Sequence, residues 1–352
     1  MKILFFTSSQ EDYLADTILH GLRHIYGKDC VDYPKCEILN KNCPDLIRKQ
    51  VRGNGFTLYG LLDDIEIDRF NIESKIVAGY FDLIIISDIQ RQYGWFVHFR
   101  PWLTPGNCII LDGADTTQPY PARGHWWRHP YYWFIPRAHP YFLYFKREWV
   151  PDTHFSIWAR VLPQFLRARL PQPRTLRRIS FGIPVEKIIT NLREKKKDFP
   201  KHIVDPEVAA KIPGSHTSYA FTSEDEYFKD LQDSRFGITT KRSGWDCLRH
   251  YEIACNGAVM CFRDLDLKPE TCAPHGLSEK NTIIYKNADD LMKRISSISN
   301  EEYNRLQAAT LEWVRTQTTT ELARRIIEET KRTIQKHKFH MTREKDLSTS
   351  KN

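Results

Sequence analysis

Internal repeats and low-complexity tracts are absent from the 352 residues, so the chain is not a repeat array. No uninterrupted apolar run approaches the ~18–20 residues that a spanning helix needs. No secretory signal opens the sequence. Met1-Lys2 leads directly into Ile3-Leu4-Phe5-Phe6, which is too short for a signal core and reads as a first buried strand. The eight cysteines include no CxxC pair. Cys30, Cys36 and Cys43 are spaced unlike zinc-ribbon ligands, while Cys247, Cys255 and Cys261 fall within a predicted helix and strand. They read as reduced, buried thiols of a cytoplasmic protein, and no metal site is expected.

What is present is an ordinary globular composition, 41% hydrophobic and 27% charged, on a chain long enough for two domains of about 150–180 residues. The net charge of +8 favours acidic partners: phosphates, nucleotide diphosphates, anionic lipids or nucleic acid. The excess gathers mid-chain, where Arg123, Arg128, Arg137, Arg147, Arg160, Arg167, Arg169, Arg174, Arg177 and Arg178 meet few acids. Such a stretch is either a solvated basic face or a contact with an anionic partner, an anionic membrane surface or nucleic-acid phosphates among them.

The first half alternates short apolar runs with helical periods. Lys2–Ser8 reads as a strand, and Glu11–Tyr26 as a helix with Leu14, Ile18, Leu22 and Ile25 on one face. Phe81–Ile86 and Asn107–Leu111 are apolar on both faces, as central parallel strands are. Alternating strands and helices imply a doubly wound α/β sheet, whose ligands bind beyond the carboxyl ends of the strands. Ser8, Ser87, Asp88, Asp112 and Asp115 fall on that edge.

From Pro119 to Trp149 the rhythm breaks into a basic, aromatic, proline-punctuated segment containing His125, Trp126, Trp127, Tyr131, Tyr132 and Trp133. A proline-rich run at 163–173 reads as the interdomain linker. The second half restarts with predicted strands at Ser218–Phe221, Phe236–Ile238, Ala258–Phe262 and Asn281–Tyr285. Capping boxes at Ser223/Glu226, Ser299/Glu302 and Thr318/Glu321 open helices. Residues 1–170 form one domain, 171–340 a second whose last helix returns to the first, and polar 341–352 a disordered tail.

The chemistry concentrates between Phe236 and Asp266. A strand ends at Ile238, and the turn that follows carries Lys241, Arg242, Ser243 and Gly244. A helix begins near Asp246, whose carboxylate can cap it, and Gly257 sits where a left-handed C-terminal cap is needed. Two cations and backbone donors at a helix N-terminus make an anion site. Leu248, Tyr251 and Cys255 share a packing face, and Arg249, Glu252 and Asn256 share the adjacent one. Arg249 can grip a phosphate bidentately, while Glu252 can accept paired hydroxyls of a ribose or hexose.

This stretch resembles the donor-site motif of GT-B glycosyltransferases, closest to the exostosin-like and spore-coat-glycosyltransferase-like groups. Ser234, Phe236, Ile238, Arg249, Tyr251, Glu252, Ala254 and Gly257 carry the likeness. The resemblance implies two Rossmann-like domains facing across a cleft, with Arg249 on the donor diphosphate and Glu252 on the ribose or donor sugar. It implies a nucleotide sugar as co-substrate, with no cofactor or metal, and a glycan or lipid-linked acceptor. The sequence departs from the retaining members at Gly244, where a glutamate eight residues before Glu252 would stand. The two-glutamate retaining mechanism is therefore unsupported, and an inverting transfer is expected.

Asp264-Leu265-Asp266 mimics a metal-binding D-x-D, but after a donor helix it reads as a donor-sugar contact or a turn. An inverting enzyme also needs a base for the acceptor hydroxyl. By the resemblance that base lies in the first domain, where Asp115 is favoured over Asp112 and His125. Asp88, Trp126 and Trp127 are candidate acceptor contacts. Two rival readings remain: nucleic-acid binding or DNA glycosylation, and a non-catalytic sugar-binding protein. Salt-dependent binding to random DNA would favour the first rival, although no recognition helix or known module appears.

Overall fold

The structure, a computed structural model, describes every residue except 9, 122–134, 151–161, 168–173, 220 and 350–352. The chain divides into two compact units. The first holds Met1–Cys36, Ile65–Ile179 and Thr320–Asn352, and the second holds Glu37–Asp64 and Ser180–Thr319. The main boundary thus falls at 179/180 rather than 170/171, and residues 37–64 leave the first half to join the second unit.

Six parallel strands build the first unit: β1 Ile3–Phe6, β2 Cys30–Tyr33, β3 Leu83–Ile86, β4 Cys108–Asp112, β5 Leu143–Lys146 and β6 Leu176–Arg178. Their order is β2-β1-β3-β4-β5-β6, with Ile3 opposite both Cys30 and Leu83. β1, β3 and β4 are buried along their whole length, which is why they read as continuous apolar runs. The order turns back between β1 and β3, and at such a switch point the loops after two neighbouring strands splay apart and leave a crevice.

The helix after β1 spans Tyr13–Tyr26, and Asp12 caps it by accepting from the Leu14 and Ala15 N–H groups, both at 3.0 Å. Leu14, Ile18 and Leu22 are buried as their spacing predicts, but Ile25 lies at the exposed rim. Arg23 of this helix is buried and pairs with Asp32 at 2.6 Å.

The second unit holds a three-stranded parallel sheet in the order β7-β8-β9: β7 Phe236–Thr239, β8 Val259–Arg263 and β9 Ile283–Tyr285. Between β7 and β8 runs the helix Leu248–Cys255, which sits close on the sheet because Gly237 has no side chain. A Cβ there would stand 2.5 Å from Ile253 Cγ2. Ser218–Phe221 forms no strand among its described residues. Tyr219 spends its surface on ring contacts with Phe56, His202, Phe221 and Tyr227 instead of facing a ladder.

Ser223 and Ser299 accept from the Glu226 and Glu302 N–H groups, and so open the helices Glu224–Gln232 and Asn300–Arg315. The last helix spans Thr319–Thr349, past the start of the expected disordered tail. Its run of Lys, Arg and Glu without Gly or Pro favours continued helix. Of the proline-rich 163–173, only 163–167 is described, with a helical turn over Gln164–Arg167. Among the described residues, no helix is long and apolar enough to cross a membrane.

Gly257 follows the helix Leu248–Cys255 with φ +68°, and a Cβ added there would meet Leu192 at 2.6 Å. Both the left-handed backbone and the crowding oppose any side chain. Gly257→Ala is expected to cost about 1–2 kcal/mol, and a urea unfolding series would read it. A loss below half of that would show that the cap relaxes freely.

Candidate functional site

In the second unit, β7 ends at Thr239 and the chain makes a turn before re-entering a helix. The turn is anchored from beneath by His250. Its Nε2–H donates to the Trp245 carbonyl at 2.9 Å, and its Nδ1 lies 3.0 Å from the Thr239 hydroxyl. His250 is fully buried and stacks on Phe262. Asp246 is buried too, accepting from the Phe181 N–H at 2.8 Å and the Tyr251 hydroxyl at 3.0 Å. It therefore does not cap the helix, which starts two residues later with Cys247 at the N-cap. The carboxylate instead ties the turn to the segment at Phe181.

Above this anchor Lys241, Arg242 and Ser243 are exposed. The turn closes through Arg242 N–H to the Gly244 carbonyl at 3.0 Å, and Lys241 lies over the Trp245 ring. Among the described residues, neither Lys241 nor Arg242 pairs with a carboxylate. Arg249, on the first turn of the helix, is half-buried with its Nε enclosed and without a hydrogen-bond partner.

Two histidines share this environment. His202 faces Thr217 through Nε2 at 3.2 Å, so that nitrogen carries the proton and Nδ1 is left as a lone-pair acceptor. Nδ1 of His202 and Nε2 of His216 are likewise buried without partners. Burial first, and the Arg249 charge second, hold His202 down to about 4, so it is neutral at physiological pH. Buried polar atoms without partners are costly, and three near one basic turn mark a place built for a ligand.

Glu252 is held on both oxygens. Oε1 accepts from the Thr57 hydroxyl at 2.5 Å and Oε2 from the Tyr227 hydroxyl at 2.8 Å. Burial raises its pKa, against the pull of Thr57, Tyr227 and Arg249. Each oxygen keeps one acceptor lone pair for a ligand hydroxyl. Asp264 and Asp266 both turn to Lys286, at 3.3 and 2.5 Å, and Asp264 adopts φ +58° in the tight turn after β8.

In the first unit the loops after β1 and β3 bring Asp12 and Asp88 to the switch point. Asp88 caps its own turn through the Gln90 and Arg91 N–H groups and pairs with Arg91 at 3.3 Å. Both capping N–H bonds to Asp12 fall on Oδ1. Burial, then the neighbouring Asp88 charge, raise Asp12 to about 6. A Cβ on Gly113 would lie 3.4 Å from Asp12 Oδ1, so the loop after β4 reaches the same place.

No family model matches the chain, and no curated protein matches it by sequence. Solved structures do. HepE of Anabaena in complex with UDP aligns at a TM-score of 0.54 and 10% identity, over 94% of this chain and 99% of that one. Its complex with UDP and glucose gives 0.53 and 11%, with the same coverage. The fold is GT-B. A glycosyltransferase from Rickettsia africae also aligns, at a TM-score of 0.49 and 9% identity, over 95% and 98% of the two chains.

The predicted donor residues all fall in the second unit. The basic turn Lys241–Gly244, Arg249 and Glu252 belong to one strand–turn–helix, and Asp264 and Asp266 follow the next strand. The predicted bases fare differently. Asp112 is 3% exposed and fully engaged. Its Oδ1 accepts from Lys146 Nζ at 2.8 Å and the Ala114 N–H at 3.1 Å, and its Oδ2 from the Tyr144 hydroxyl and the Tyr120 N–H.

Asp115 pairs with Arg147. Arg147 also clamps the Gly113 carbonyl through Nε and an amino group, and meets Glu148 at 3.1 Å. It is thus a buried staple of the loop Asp112–Asp115 and not part of a solvated basic face. His125, Trp126 and Trp127 lie outside the described residues, as do Arg123, Arg128, Arg160, Arg169, Tyr131, Tyr132 and Trp133.

Sequence reasoning missed Asp12, His202, His216, His250 and Thr57. Asp12 was legible as a cap just past the first strand. The others carry no local signal.

Proposed function

We propose that the chain is a nucleotide-sugar glycosyltransferase of GT-B fold that passes a sugar to a hydroxyl of a glycan or lipid-linked acceptor. The observation that carries this reading is Arg249, with an enclosed and unpartnered Nε, one helical turn behind the unpaired cations Lys241 and Arg242. A leaving nucleoside diphosphate supplies the acceptor oxygens that these groups lack. HepE, which shares the fold, was captured with UDP and with UDP and glucose. The narrower likeness to the exostosin-like and spore-coat groups rests on the motif Ser234–Gly257 alone.

Three cations and a helix N-terminus can neutralise the departing diphosphate, which supports a transfer without a bound metal. Gly244 in place of a second glutamate supports inversion. An inverting transfer needs a base, and we assign it to Asp12 in place of Asp112. Asp112 is saturated by structural bonds, whereas Asp12 has a raised pKa, stands at the switch point and leaves its Oδ2 free of the helix cap. Asp115 is retained as the second choice, because it is half exposed but tied to Arg147. A reducing compartment suits eight cysteines that form no disulfide, of which Cys30 is pushed by burial up to about 12.

The test is a thermal-shift panel of UDP, GDP, ADP, CDP and dTDP on the full chain. At least one is expected to raise the melting temperature by several degrees at saturating concentration. Arg249→Ala is expected to weaken that nucleotide by roughly 10–100-fold, the worth of a charge-assisted bond pair. No shift with any of the five would sink the donor-site reading.

A further inference from the structure

Thr57 is folded into a backbone conformation that a β-branched residue resists. Its φ is +75°, in a loop where Gly53, Asn54, Gly55 and Gly60 also take positive φ. The loop is shaped closely. A Cβ on Gly55 would meet the Arg48 carbonyl oxygen at 2.5 Å, and one on Gly60 would meet an Arg48 amino group at 2.5 Å. Such strain persists only where surrounding contacts over-determine the conformation.

Here the contacts are specific. Thr57 is 1% exposed, its N–H donates to Glu224 Oε1 at 2.9 Å and its hydroxyl to Glu252 Oε1 at 2.5 Å. Asn54 Nδ2 donates to the Phe221 carbonyl at 3.0 Å, and Phe56 packs its ring on Tyr219. The strain is thus coupled to two carboxylates of the second unit, one of them in the proposed donor site.

Glycine or asparagine would fit this backbone with less strain but would place no hydroxyl on Glu252. The groups around Glu252 are Tyr227 and Glu224 on one helix, Arg249 and Cys255 on its own, and Thr57 on the loop. Lys187 meets Glu224 at 2.8 Å. Tyr227 and Thr57 are the two neutral donors that turn the carboxylate.

We propose that Thr57 is the positioning residue for Glu252. It fixes the carboxylate's rotation, so that the two remaining lone pairs point in set directions for a vicinal diol. Resting on the donor-site reading, this assigns the diol to the ribose of the nucleotide. Thr57 touches no reacting atom itself; it acts through Glu252.

The test uses the full chain with glutamate labelled by carbon-13 at the side-chain carboxyl, the Glu252 resonance being identified by its loss in Glu252→Gln. Thr57→Val removes the hydroxyl, and Thr57→Asn removes it while accepting the positive φ. Both are expected to raise the Glu252 titration midpoint by about one pH unit, since a hydrogen bond to the charged form is lost. Thr57→Ser is expected to titrate as wild type. An unmoved midpoint in Val and Asn overturns the proposal.

Affinity supplies the second readout. Wild type is expected to bind UDP about tenfold more tightly than 2′,3′-dideoxy-UDP, or the matching pair of whichever base the panel selects, and Thr57→Val to bind both alike. Retained discrimination in Thr57→Val also overturns it. If wild type binds no nucleoside diphosphate, the donor-site reading falls, and the carboxyl titration still decides the role of Thr57.

Discussion

Replacing Asp12 by Asn is expected to lower the turnover of sugar transfer by about 10²–10⁴-fold while leaving the protein folded at pH 7.5. Asparagine caps a helix about as well as aspartate, so the bonds from the Leu14 and Ala15 N–H groups survive. What is lost is a carboxylate able to take a proton. Burial, reinforced by Asp88, raises Asp12 from 3.8 to about 6.

The sign follows directly. A base must be ionised, so turnover should be flat above about 6 and fall roughly tenfold per pH unit below it, with Asp12 governing the acid limb. Stability runs the other way. A carboxyl whose folded value exceeds its unfolded value favours the native state most below 3.8 and loses that contribution as pH rises towards 6. Asn lacks the penalty of a buried negative charge, and its melting temperature at pH 7.5 should match or exceed that of wild type. Steady-state rates from pH 5 to 8 with the nucleotide sugar chosen by the panel would decide this. A variant keeping more than a tenth of wild-type turnover would return the base to Asp115.

Lys146→Met is expected to destabilise the protein by about 3–5 kcal/mol, with the first unit as the part that fails. Lys146 is fully buried at the end of β5, directly opposite Asp112 in register. Their ion pair at 2.8 Å is enclosed on both sides. Methionine nearly preserves the volume but leaves the Asp112 charge with only neutral donors, chiefly the Tyr144 hydroxyl and the Ala114 N–H. Asp112→Asn combined with Lys146→Met removes both charges, and most of the lost stability should return. Urea melts of the two single variants and the double variant give the coupling directly. A loss under about 1 kcal/mol in Lys146→Met would mean that water reaches the pair.

The same ion pair engages a carboxylate that reads from sequence as a candidate base. An aspartate closing an apolar strand looks like an edge carboxylate, and only the register reveals Lys146 opposite it. Features encoded within a few residues were legible: the apolar runs of β1, β3 and β4, the serine caps at Ser223 and Ser299, the left-handed Gly257, and the strand–turn–helix of the donor half. Features made by distant partners were not.

Thr57 meets Glu224 and Glu252 across sequence separations of 167 and 195 residues, and no local pattern announces either contact. Tyr219 illustrates the opposite error. Its β-forming neighbours suggested a strand, but its ring is held by Phe56, a residue of the first half of the chain. Asp246, a good cap by composition, was drawn off by the Phe181 N–H and the Tyr251 hydroxyl.

The passage of residues 37–64 into the second unit, and of residues from 320 onward into the first, has a consequence for the order of assembly. Neither unit is a contiguous stretch of chain. As the polypeptide leaves the ribosome, β1 to β6 have all emerged by residue 178, yet their unit still lacks its last helix. The second unit has all its segments once residue 319 has emerged, so it is complete in sequence before the unit that begins the chain. Thr57 and its loop must wait until Glu252, 195 residues further on, exists to receive them. The two units are therefore interleaved along the chain, and cutting it into halves at 179/180 would leave each half with a piece that belongs to the other.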